Sequence, residues 1–192
     1  MLISEDLDRA LRWGAKYHQG QTRRGSATPY FVHAVAVAMI LDRLRFPDGI
    51  VIAGLLHDLV EDTEATIDDI RHGFGPEVAE LVAHCSEIKT DATGAMRPWI
   101  DRKRDHLAAL ANTSADVRAV LLADKLHNLS SILFDLREGN NVWPLFHADR
   151  ESVLWYYRTA IETLGNGTDA LDRLAEECRG TLSEVEAIGP LT

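Results

Sequence analysis

The chain has 192 residues, 30 acidic against 20 basic side chains, a formal net charge of -10 and 46% apolar residues. At about 150 residues per domain this is the length of one domain, residues 1–192, and the apolar content excludes a disordered chain. The charge argues against a DNA, RNA or anionic-membrane binder, and the longest apolar stretches, such as Gly49 to Leu56, fall far short of the ~20 residues that cross a bilayer.

Helix signals run through the chain in order. Ser4 is an N-cap with Glu5 and Asp6 in the first turn, and the helix it opens ends at Gly20. The polar stretch Gln21 to Pro29 reads as a loop. Tyr30 to Leu44 is a second helix, broken by Pro47-Asp48-Gly49. Asp48 opens a strongly apolar third helix through His57. Thr63 to Gly73 is a short helix capped at Thr66, and Gly75-Pro76 begins another. Residues 86–96 read as a loop. Pro98 to Ala111, Ser114 to Glu138 and Pro144 to Leu164 are helical patterns, and 168–187 is a final acidic amphipathic helix, read as a cover for the core or a homodimer surface. No segment shows sustained period-2 alternation. The expected class is all-α, a single helical bundle, with a core at about 5–165.

The N-terminus lacks the basic and apolar regions of a signal peptide. Cys85 and Cys178 form no CxxC pair and fit a reducing compartment, so a cytoplasmic location is expected. Charge is unevenly spread: residues 9–41 hold five basic residues and no acid, whereas 51–84 hold eight acids and one Arg.

The stretch Gly54-Leu-Leu-His57-Asp58-Leu-Val-Glu61-Asp62 sets an imidazole and three carboxylates on an apolar helix. If that helix continues, His57 with Glu61 and Asp58 with Asp62 are i, i+4 pairs on one stripe. Carboxylates so close repel and raise one another's pKa unless a cation sits among them. His33 and Asp124 are further polar residues inside apolar runs. Together His33, His57, Asp58 and Asp124 make a two-imidazole, two-carboxylate set suited to Mn²⁺, Fe²⁺, Co²⁺ or Zn²⁺ with open positions for water. An isolated His-Asp pair is usually a solvated surface pair. Three apolar runs that each carry an ionisable residue weigh against that here.

These residues resemble the H…HD…D pattern of the HD-domain metal phosphohydrolases. The ordered segments Ala15-Lys-Tyr-His-Gln-Gly-Gln-Thr-Arg23-Arg24, Pro29-Tyr-Phe-Val-His33, Leu55-Leu-His57-Asp58-Leu-Val-Glu61-Asp62 and Ala123-Asp-Lys-Leu-His-Asn128 are similar to the hydrolase domain of the RelA/SpoT alarmone enzymes. The resemblance implies an all-helical HD fold, a Mn²⁺ site ligated by His33, His57, Asp58 and Asp124, and removal of the 3′-pyrophosphate from (p)ppGpp by a stand-alone small hydrolase. It also implies that Glu61 and Asp62 are the catalytic acidic pair. Arg23, Arg24, Lys103 and Asn128 would then lie against a small-molecule nucleotide. In that mechanism Glu61 takes a proton from water, and Asp62, protonated among like charges, serves the leaving oxygen.

The chain departs from the family pattern at Ala34, at Arg24 and in Cys85-Ser-Glu-Ile-Lys-Thr. The last of these, with the aromatic tail from Trp143 to Tyr157, bears on substrate rather than chemistry. Adenine alarmones, the 2′-phosphate of NADPH and nucleoside monophosphates remain alternative substrates, and a non-catalytic nucleotide sensor is an alternative of another class. Arg150 is a further candidate phosphate contact. His127 reads as a packing or supporting residue, His18, His72, His84, His106 and His147 as ordinary ones, and the late aromatics as core.

Overall fold

The structure, a computed structural model, describes residues 3–110 and 112–189. Capping side chains fix where most helices start. The Ser4 hydroxyl accepts from the Leu7 amide and opens α1 (Glu5–Tyr17). After an irregular loop come α2 (Phe31–Arg43) and α3 (Asp48–Leu56). A short α4 (Leu59–Asp62) leads to α5 (Ile67–Cys85), which opens with a reciprocal capping box between Thr66 and Asp69. α6 (Trp99–Leu110) follows, then α7 (Ala115–Arg137), α8 (Arg150–Leu164) and α9 (Asp169–Ala187), the last three capped by Ser114, Asp149 and Thr168. The described residues form two isolated β-bridges, Thr22 with Pro29 and Thr90 with Met96, and no sheet. The all-α class is therefore observed, and no described helix is long and apolar enough to cross a membrane.

Three boundaries differ from the sequence reading, each for a local reason. The third helix, expected through His57, does not go on to Asp62 as the i, i+4 pairing would require. It stops at Leu56, and α4 starts only at Leu59. The His57 ring nitrogen Nδ1 takes the Gly54 carbonyl at 2.7 Å, a carbonyl that would otherwise serve the next helical amide. The two helices expected on either side of Gly75 are one kinked element, because Gly75 adopts φ 89°, ψ 167° and turns the chain without ending it. The helix expected from Pro144 begins at Arg150, since Trp143–Leu145 closes as a 3₁₀ turn and Asp149 accepts from the Ser152 amide. Ala111, the expected end of the sixth helical pattern, lies outside the described residues.

α7 is the axis of the bundle, with α2, α3, α5, α8 and α9 packed around it. Its fully apolar positions include Ala119, Val120, Leu122 and Leu129, all out of contact with solvent. Each such Leu or Val contributes roughly 1.5–3 kcal/mol relative to an exposed one. α9 lays Leu171, Leu174, Ala175, Cys178, Leu182 and Val185 against the core and packs on α7 and α8, so its apolar stripe is spent as a cover. α2 and α3 approach closely at Gly54, where an added Cβ would stand 2.5 Å from Leu41 Cδ1. That approach brings His33 near the start of α2 to His57 at the end of α3.

Candidate metal centre

Three helices converge on one point. His33 comes from α2, His57 and Asp58 from the break between α3 and α4, and Asp124 from the middle of α7. The His33 Nε2 atom lies 3.1 Å from Asp124 Oδ1 and 3.5 Å from Asp58 Oδ2. His57 Nε2 lies 3.0 Å from Asp58 Oδ2 and 3.8 Å from Asp124 Oδ1. Both Nε2 atoms are buried and have no hydrogen-bond partner among the described residues, so these close atoms lie side by side without being aligned as donor and acceptor. Ligand atoms ~2.1 Å from a common centre lie roughly 3.0–3.5 Å apart at octahedral or tetrahedral angles. The observed spacings are close to that. His33, His57 and Asp58 satisfy the geometry of a metal-chelating cluster, and Asp124 Oδ1 lies beside its two imidazoles.

The surrounding bonds prepare the ligand atoms. With Nδ1 of His57 donating to the Gly54 carbonyl, its Nε2 lone pair is left to face the cluster. His33 Nδ1 pairs with His127 Nδ1 at 2.7 Å. Burial, then the charges of His33 and Arg23, push His127 down to about 4; a neutral His127 accepts from His33 and leaves the His33 Nε2 lone pair free as well. The Tyr30 hydroxyl donates to Asp58 Oδ2 at 2.5 Å. Asn128 donates to Asp124 Oδ1 at 2.5 Å, and the buried Lys125 ammonium donates to Oδ2 at 2.6 Å.

The electrostatics ask for positive charge at the centre. Burial alone would raise both aspartates, yet His57 and His33 hold Asp58, and Lys125 with the same histidines holds Asp124, well below the usual carboxylate range. Burial lowers the proton affinity of His57, but Asp58 and Asp124 outweigh it and hold the ring well above its ordinary value. A proton and a divalent cation satisfy the same field, and the donor set of two imidazoles and two carboxylates fits the cation.

Glu61 and Asp62 do not share a stripe with His57 and Asp58, because the helix breaks between the two pairs. They stand together around Lys89, whose Nζ lies 2.9 Å from Glu61 Oε1 and 2.7 Å from Asp62 Oδ1. The crowding expected from sequence is thus relieved by a side chain as well as by any metal. Glu61 Oε2 accepts the Glu87 amide at 2.9 Å. Burial raises the Glu61 pKa, with the Glu87 amide and Lys89 opposing and Asp58 adding. Glu87 in turn is held by Arg102 at 2.9 Å and by Lys103; burial would raise it, but Lys103 and Arg102 hold it below the usual range.

All of these groups line one cavity of about 680 Å³. Arg23, Arg24, Lys103 and Asn128 are on its wall. Arg23 donates to Asn128 Oδ1 at 2.6 Å and lies over the Tyr30 ring, and Arg24 reaches the Leu145 carbonyl. Arg150 is not on this wall. Its guanidinium donates to the Glu186 carbonyl at 3.0 Å and lies over Trp143, where it closes the C-terminal end of α9. Phe146, Tyr156 and Tyr157 also line the cavity, and Tyr156 and Tyr157 are buried in the core, as read from the sequence.

Tyr30, Glu87, Lys89, Arg102 and Lys125 also stand at the site, and the sequence reading gave none of them a role. Only Lys125, a charge inside the apolar run of α7, could have been singled out as Asp124 was. His18, read as ordinary, is buried, stacks on Tyr30 and bonds Gln21, which donates to the Asp62 carbonyl.

The family profile described as an HD domain matches residues 10–152. The chain belongs to the HD-domain family. Its HD fold resembles the RelA/SpoT (p)ppGpp hydrolase domain. Among solved structures, one described as a metazoan ortholog of SpoT that hydrolyzes ppGpp is similar with a TM-score of 0.74 and 27% identity, covering 92% of this chain and 94% of that one. A crystal structure of a Listeria monocytogenes protein is similar with a TM-score of 0.66 and 35% identity, covering 81% of this chain and 96% of that one. A GTP pyrophosphokinase of Myxococcus xanthus is 36% identical over 133 residues, 66% of this HD chain and 17% of the relative. A probable guanosine-3′,5′-bis(diphosphate) 3′-pyrophosphohydrolase of Mycoplasma pneumoniae is 34% identical over 136 residues, 67% of this chain and 18% of the relative. The chain thus spans less than a fifth of these curated relatives.

Proposed function

We propose that this HD-domain chain is a metal-dependent phosphohydrolase that removes the 3′-pyrophosphate of (p)ppGpp, releasing GDP or GTP and pyrophosphate. The observation that carries the reading is the convergence of His33 Nε2, His57 Nε2, Asp58 and Asp124 beside Glu61, in a cavity whose other walls hold Arg23, Arg24, Arg102 and Lys103. The names of the relatives supply the substrate class. His33, His57, Asp58 and Asp124 are the residues that would hold the divalent ion, Mn²⁺ in this proposal. Such an ion supplies Lewis acidity to a phosphoryl oxygen and makes a water acidic near neutral pH.

Every other step belongs to the chain. Glu61, whose pKa burial raises toward the range of a useful base, accepts the proton of the attacking water. Asp62, with Lys89 on its Oδ1, lies toward the leaving 3′-oxygen, which takes up the proton that Glu61 has drawn from the water. Arg23 and Arg24 bind the nucleotide, and Arg102 and Lys103 face its phosphates. These cations stabilise charge as it grows on the phosphoryl oxygens. The protein acts in the cytoplasm on a small-molecule substrate in this proposal, and a homodimer would use the exposed face of α9.

The test is metal analysis of purified protein followed by a panel of ppGpp, pppGpp, ppApp, NADPH and nucleoside monophosphates, ranked by kcat/KM with Mn²⁺. Preference for the guanosine 3′-pyrophosphates supports the reading. Preference for another nucleotide would keep the centre and change the substrate, and tight ppGpp binding without turnover in any metal would make the protein a sensor.

A further inference from the structure

Lys89 lies in the loop between α5 and α6, and it is the described cation in contact with both Glu61 and Asp62. It is not a loose surface side chain. Its carbonyl accepts the Arg97 amide at 3.0 Å, and the next residue, Thr90, bridges to Met96. Two residues earlier, the Glu87 amide fixes the other oxygen of Glu61. The neighbouring cations each bond another carboxylate, Arg102 and Lys103 that of Glu87 and Lys125 that of Asp124, so Lys89 is the described cation left to the Glu61–Asp62 pair. Without Lys89 the cavity would present Glu61 and Asp62 as two uncompensated carboxylates to an incoming phosphate.

We propose that Lys89 is a positioning residue that holds and neutralises the Glu61–Asp62 pair, so that a phosphate anion can enter beside it. The inference rests on the phosphohydrolase reading and adds a residue to it. Lys89 acts through the two carboxylates, which it spaces and fixes, and it touches none of the four candidate metal ligands. Its loss should therefore leave the metal in place and lower the affinity for anions.

The experiment is calorimetric titration of pyrophosphate into metal-loaded wild type, Lys89→Met, Lys89→Gln, Lys89→Arg, Glu61→Gln and the double variant Glu61→Gln/Lys89→Met, with metal content measured on each. Lys89→Met and Lys89→Gln should keep full metal and bind pyrophosphate ~10- to 100-fold more weakly, as expected when a partly buried charge is left unpaired. Lys89→Arg should restore affinity to within about threefold of wild type, because it restores the charge. The double variant should regain most of the loss, because one of the charges that Lys89 compensates is gone. Wild-type affinity in Lys89→Met and Lys89→Gln overturns the inference. So does a double variant no tighter than Lys89→Met, which would make Lys89 a direct phosphate ligand. A wild type that binds metal but no pyrophosphate refutes the phosphohydrolase reading, and this inference with it.

Discussion

Replacing Lys125 with Met removes a buried ammonium from the second oxygen of Asp124, 2.6 Å away. Both side chains are about nine-tenths buried. What remains on that carboxylate is the Asn128 amide at Oδ1 and the two imidazoles beside it. Removing one partner of a buried ion pair typically costs 3–5 kcal/mol, because the other charge stays behind. Taking about 3 kcal/mol, a chain of this size should lose roughly 6–12 °C in Tm. A divalent ion at Oδ1 would supply the missing positive charge, so the metal-loaded variant should lose less, about 1 kcal/mol or ~2–4 °C. Thermal unfolding in chelator and in saturating Mn²⁺ measures both numbers. Equal losses in the two conditions would refute the reasoning, because they would mean that Lys125 and the metal do not share Asp124.

Three further outcomes follow from the same geometry. Glu61→Gln should lower kcat ~10²- to 10⁴-fold while metal content stays unchanged, as for the loss of a general base; loss of metal instead would place Glu61 among the ligands. Gly54→Ala should destabilise by about 1–3 kcal/mol and weaken metal binding. Its Cβ meets Leu41 at 2.5 Å, and the Gly54 carbonyl orients His57; a neutral effect on both in urea melts and metal titration would contradict the packing argument. Burial, with Lys125 and Lys103 beside one ring and His33 and Arg23 beside the other, holds His106 and His127 at about 4, below the ordinary 6.5. The unfolded chain therefore binds more protons between those values. Their contribution to stability is fully present above pH 6.5 and is lost as pH falls toward 4. Urea midpoints in chelator should fall across that window, and fall less in His106→Gln.

The candidate ligands were legible in the sequence because each is a charge-bearing residue within an apolar run, and burial makes such residues expensive unless they meet. His33, His57, Asp58 and Asp124 do meet. The helix class was legible through Ser4, Thr66, Ser114 and Thr168, whose hydroxyls cap the helices that follow. The third helix was read as running through His57, one residue past its end, but the cause of that end was not legible, because a side chain that takes a carbonyl from its own helix leaves no compositional trace. Lys89 sits in a loop without periodicity, so nothing in the sequence tied it to Glu61 across 28 residues. Arg150 looked like Arg23 or Arg24 by composition. Its partner, the end of α9, is far away in sequence and decided its place.

The central claim is that two imidazoles and two carboxylates hold one divalent ion beside Glu61. Anomalous diffraction from crystals grown with Mn²⁺ tests it most directly. The account predicts a single strong peak about 2.0–2.3 Å from His33 Nε2, His57 Nε2, Asp58 and Asp124. No peak within reach of these four residues, or a peak ligated instead by Glu61 and Asp62, would contradict it.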